Sequence, residues 1–195
     1  MSKKTKVSRH VEWCLKKAQE EIEECKKQGK REKHRGLIRV NPDFKLAERH
    51  LAKAEHYLSV TQYLVKGKIS DVSMSTIFYA MYQCFLSIAI RFGYESSNQS
   101  CTISLIEFLK LEKKIDIDER FLRYFVYEGE GDDRNARIDE SIIELRENYT
   151  YGTEVEADKS KIDFFIKECK ELIDITKEII YSDINEEEEK DVDEK

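Results

Sequence analysis

One proline in 195 residues, and only seven glycines, leave this chain few places to turn. A turn-rich sandwich or barrel needs many more such breakers, so an all-β architecture is excluded. Long apolar runs are missing too. The longest, from Ile77 to Phe92, is interrupted by Gln83, Ser87 and Arg91, which predicts a chain without a transmembrane span and no membrane partner. No apolar segment follows the basic start MSKKTK, which argues against secretion and for a cytoplasmic setting. CxxC pairs are absent. The five cysteines, at 14, 25, 84, 101 and 169, are odd in number and scattered over mostly apolar helical positions. They read as buried thiols in a reducing compartment.

Two further absences limit the chemistry. The residues three before His10, His34, His50 and His56 are Val7, Arg31, Ala47 and Lys53, so the Glu-x-x-His motif of di-iron bundles does not occur. His50 and His56 are six apart, about 240° around a helix, and cannot hold one metal on one face. There is no Gly-rich phosphate loop either. Neither a metal nor a cofactor is expected.

What is present is charge and aromatic mass. Charged residues make up 38% of the chain, yet 10 Tyr and 9 Phe are too many for a disordered one. The charge is polarised. Residues 1–40 carry 13 Lys+Arg against 6 acids, and residues 183–195 carry 8 acids against 2 Lys. A basic head of this kind suits phosphates or an acidic partner, or it is simply solvated.

Apolar residues recur at helical spacing through most of the chain. Val7, Val11, Cys14, Ala18, Ile22 and Cys25 predict a helix over 5–29, followed by a basic linker over 26–39. Asn41-Pro42-Asp43 opens a second helix over 44–66, and Gly67 closes it. A third, capped by Ser70-Asp71 and running over 72–92, is apolar nearly all round and belongs at the centre of a bundle. Its polar strip, Thr76, Gln83, Ser87 and Arg91, must meet solvent, line something or face a symmetric groove. Short helices follow, one bearing Ile103, Ile106 and Leu109 and another over 118–128. The acidic turn 128–133 then leads to a helix from Ile138 to about Tyr151, and a last helix covers 157–181. No strand pattern competes. The expected architecture is all-α: a basic helix and linker over 1–43, an up-and-down antiparallel bundle over 44–182, and a disordered acidic tail over 183–195.

The richest polar cluster is ELRENYTYG at 144–152. Arg146 and Tyr149 are three apart and therefore neighbours, and Tyr151 falls in the exit turn. An Arg with two Tyr and an Asn (Asn148) at a helix end suits a phosphate or a nucleotide base. Ordinary hydrogen bonds to neighbouring helices use the same residues equally well.

The segment Phe78-Tyr79-Ala80-Met81-Tyr82, the Arg-x4-Tyr-Gly stretch from Arg146 to Gly152 and the final amphipathic helix together resemble the HEPN (higher eukaryotes and prokaryotes nucleotide-binding) domains. His34-Arg35-Gly36-Leu37, the segment 52–56 and the run 92–102 are similar to an archaeal-type branch. The likeness covers about residues 34–182. It implies a bundle of four to five helices, a homodimer, and either RNA or nucleotide binding or pairing with a minimal nucleotidyltransferase in a toxin–antitoxin or defence setting. Many members are metal-independent endoribonucleases in which an Arg is followed four to six residues later by a His. Arg146 matches that Arg, but Tyr151 stands where the His belongs. A phenol of ordinary pKa near 10 is a poor general base beside an imidazole near 6.5. The resemblance thus implies a non-catalytic module that keeps the anion-binding half of the motif. The alternatives are a ribonuclease using Arg146 with Tyr151 or a remote His as its base, and a helical oligomer with no ligand.

Overall fold

The computed structural model describes the backbone of residues 3–126 and 141–193, with side chains over 5–126 and 141–182. The protein is all-α in class: 71% helix and a small two-stranded sheet. In chain order the elements are α1 (Lys3–Lys27), β1 (Leu37–Arg39), α2 (Phe44–Lys66), α3 (Ser73–Arg91), β2 (Tyr94–Ser96), α4 (Gln99–Leu111), α5 (Glu119–Arg123), α6 (Ile142–Tyr151) and α7 (Lys159–Asp193). They form two compact units, each assembled from separated stretches of chain. Unit 1 comprises Met1–Arg49, Phe85–Asp116 and Lys177–Lys195, and unit 2 comprises His50–Cys84 and Ile117–Thr176.

In unit 1, α1 lays Val7, Val11, Cys14 and Ala18 inward, the stripe its 3–4 spacing dictates. That face packs on α4 and β1. The strands are a correction to the expected linker: β1 pairs antiparallel with β2, Leu37 opposite Ser96 and Arg39 opposite Tyr94. Three-residue strands are too short to print an alternation in the sequence. Two glycines make the ribbon possible. Gly93 ends α3 at φ 76°, and a Cβ there would meet the Val40 carbonyl at 2.9 Å. Gly36 lies so close under α1 that a Cβ would run into the Cys14 carbonyl.

The cysteine expectation also needs correction. Cys14 of α1 and Cys101 of α4 form a disulfide, their Cα atoms 5.9 Å apart. Both side chains are buried, as their apolar spacing predicts. Their pairing follows from packing two helices 87 residues apart, which no local pattern reports. Cys25, Cys84 and Cys169 remain thiols, and burial, with Cys84 nearby, pushes the Cys169 thiol well above its usual range.

The polar strip of α3 finds partners within the chain. In unit 2, Thr76 Oγ1 bonds Thr61 Oγ1 at 2.7 Å and Gln83 Oε1 bonds His50 Nδ1 at 2.7 Å. In unit 1, Ser87 Oγ donates to the Ala47 carbonyl and Arg91 Nε to that of Ile180. By length and composition α3 is the one described helix able to cross a membrane, and most of it is buried inside the protein. Asp43 caps α2 by accepting from the Leu46 amide, as expected. Ser70 does not cap α3; its hydroxyl accepts instead from the Ala157 amide.

α7 continues to Asp193, through a segment expected to be disordered. Once a helix is nucleated on its apolar turns, each further residue adds a hydrogen bond, and Glu is a good helix former. The expected acidic turn over 128–133 lies outside the described residues, as does Ile138.

Candidate functional site

Ser141 caps α6, its buried hydroxyl accepting from the Glu144 amide, and the helix ends where the Gly152 amide bonds the Asn148 carbonyl. At 100° per residue, Ile142, Ile143, Leu145, Arg146 and Tyr149 share its inward face, whereas Asn148 and Tyr151 point outward. The four residues singled out in the sequence are thereby split into two pairs. Arg146 and Tyr151, five apart, sit about 140° from each other around the axis. Among the described residues no hydrogen bond or ring contact joins them.

The Arg146 guanidinium lies 4.7 Å above the Phe78 ring, and its Nη2 pairs with Glu147 Oε1 at 2.9 Å. Its side chain is 22% exposed, and its Nε is buried with no hydrogen-bond partner among the described residues. Phe78 belongs to an aromatic cluster with Tyr79, Tyr82 and Phe125. Arg146 is therefore half a packing residue, its charge tempered by the adjoining carboxylate. Tyr149 is half-buried, and its hydroxyl accepts from the Asp158 amide at 3.2 Å, which ties α6 to the start of α7. Asn148 is exposed. Tyr151 is the last helical residue rather than part of the exit turn, and it is 81% exposed. Of the two rings in residues 144–152, Tyr151 is the more exposed.

His10 bonds Ser104, His34 bonds Ser97 and His50 bonds Gln83, so three of the four histidines are engaged in fixing elements. His56 lies on α2, its ring tilted against that of Tyr57. Among the described residues, no group of three or more His, Cys, Asp and Glu could hold a metal.

Sequence reasoning missed a second polar cluster in unit 2. Glu168 of α7 is buried, yet it accepts from Tyr124 Oη at 2.9 Å and pairs with Arg120 Nε at 3.0 Å. Arg120 also pairs with Glu171 of α7 and with Asp118, the N-cap of α5. Such a network holds a five-residue helix that could not persist alone. The visible signal was a Glu within the apolar register of the last helix, between Phe165 and Cys169.

Burial and the Glu168 carboxylate raise the Tyr124 phenol above its ordinary pKa near 10. The folded state therefore holds that proton after the unfolded chain has released it. Tyr124 contributes its full stability below pH 10, and the contribution falls as pH rises beyond that point. Alkaline denaturation followed by circular dichroism should show a shallower loss of stability in Tyr124→Phe than in wild type. Parallel curves would mean that Tyr124 titrates normally.

No protein-family model matches the chain, and no curated protein does either. The residues themselves carry the functional argument.

Proposed function

We propose that this is a HEPN-like, non-catalytic helical module that binds RNA or a nucleotide at the C-terminal end of α6. The supporting observation is the division of that helix. Tyr151 and Asn148 present an open ring and an amide outward, while Arg146 is turned inward onto Phe78 with Glu147. An exposed Tyr stacks on any base, and an amide adds hydrogen bonds to a base edge. Metal-free phosphoester cleavage needs a proton-transfer group, and a phenol at position 151 is a poorer general base at neutral pH than the imidazole of the family's motif.

The test is titration of fluorescently labelled single-stranded RNA with magnesium chelated, scoring binding and cleavage together. The expected result is binding without cleavage, with Tyr151→Ala weakening affinity about tenfold. Arg146→Ala acts mainly on folding, because no guanidinium then covers the Phe78 ring. Tyr151→His restores the Arg-x4-His spacing and supplies a base of suitable pKa, so it should gain a detectable metal-independent cleavage that wild type lacks. Efficient wild-type cleavage would establish the ribonuclease reading instead. The module is proposed as a homodimer, to be checked by light scattering, and as a partner for a nucleotidyltransferase. One observation opposes the expected cytoplasmic setting: the Cys14–Cys101 bridge, since cytosolic thiols are kept reduced.

A further inference from the structure

We infer that the outer face of α1 is a stacking platform for single-stranded nucleic acid, centred on Trp13. It lies in unit 1 and does not rest on the reading of α6. The first 19 residues carry six Lys and Arg against one acid, Glu12, although the whole chain is acidic with a net charge of -6. Helical geometry gathers Lys6, Arg9, His10, Trp13, Lys16 and Lys17 within an arc of about 120°. That arc flanks the buried stripe of α1 without overlapping it.

Trp13 is the chain's one tryptophan, and it is 52% exposed. A single exposed apolar side chain is ordinary; the way this one is held is not. The imidazole of His10 is fixed by a 2.7 Å hydrogen bond between its Nδ1 and Ser104 Oγ on α4. That ring then stacks on the indole, centroids 5.6 Å apart and planes 29° from parallel. Lys17 Nζ lies 4.9 Å from the indole centroid. The indole is thus oriented before any ligand arrives, and the entropy of ordering it is already spent. Lys16 pairs with Glu20 at 3.7 Å, but both side chains are largely exposed, so a phosphate can compete for it.

A flat aromatic ring within a cationic strip fits bases and phosphates together. A membrane surface shares the charge preference but needs an apolar face to insert. α1 has already committed that face to the core: Val7, Val11, Cys14 and Ala18 are buried, and the disulfide to α4 prevents the helix from rolling outward.

Because Trp13 is the only indole, its emission on excitation at 295 nm reports the proposed contact directly. Titration with an oligouridylate of about 15 nucleotides should quench it by a third or more. Anisotropy of the same labelled oligonucleotide should show Trp13→Ala binding about tenfold more weakly, and Trp13→Phe within about threefold of wild type. Lys6→Glu with Lys17→Glu should flatten the salt dependence of log K by roughly 0.7 for each phosphate no longer neutralised. Tyr151→Ala should leave the indole quenching intact, which separates this surface from α6. Oligonucleotide binding with unchanged emission and an unaffected Trp13→Ala variant overturns the proposal. So does quenching by phosphatidylserine vesicles but not by oligouridylate, which would assign the face to a lipid surface.

Discussion

Reduction of the Cys14–Cys101 bridge is expected to lower the melting temperature by about 10 °C. The bridge closes a loop of 87 residues, and the chain-entropy model assigns such a closure about 4.6 kcal/mol. For a chain of this size, each kcal/mol moves the midpoint by roughly 2–4 °C. The double variant Cys14→Ala, Cys101→Ala should melt near the reduced wild type and be insensitive to dithiothreitol. Thiol titration gives an independent count: three reactive groups in unfolded, unreduced protein and five after reduction. Five before reduction, with melting indifferent to reductant, would show that the bridge does not form.

The second large effect is expected at Glu168. Glu168→Ala leaves Tyr124 Oη without its acceptor and Arg120 without its buried partner, and should cost about 3 kcal/mol. Glu171 and Asp118 stay close to Arg120 and keep the loss below that of a wholly orphaned charge. Replacing both partners, Glu168→Met with Arg120→Met, should recover part of the loss, because no charge is then left buried alone. Chemical denaturation measures each step. A double variant less stable than Glu168→Ala would mean that Arg120 acts mainly through Glu171 and Asp118.

The helices were legible because their signal is local. The apolar steps of 3 and 4 locate α1, α2 and α3 to within about two residues, and Gly67 and Gly93 mark the ends of α2 and α3. The parts that stayed hidden depend on partners distant in sequence. The disulfide, the β1–β2 ribbon and the Arg120–Glu168 network each join residues about 45 or more positions apart. The candidate site was legible as a cluster but not as a geometry. The division of Arg146 from Tyr151 was already implicit in their five-residue spacing, once the helix is known to run through both. Trp13 was overlooked because a lone aromatic in a charged helix carries no periodic signal, and its holding by His10 depends on Ser104.

The discontinuity of unit 1 has a consequence for synthesis. Its first two segments end at Asp116, and its third begins at Lys177. At 5–20 residues per second, a ribosome takes on the order of 3–12 s to make the stretch between them. Throughout that interval α1 and α4 are available but their unit is incomplete. Cys25 and Cys84 both leave the ribosome ahead of Cys101, so they are the earlier partners for Cys14 in any oxidising environment. Correct bridging then depends on α1 finding α4 before its thiol is captured, which makes the order of emergence, as much as the final packing, a determinant of yield.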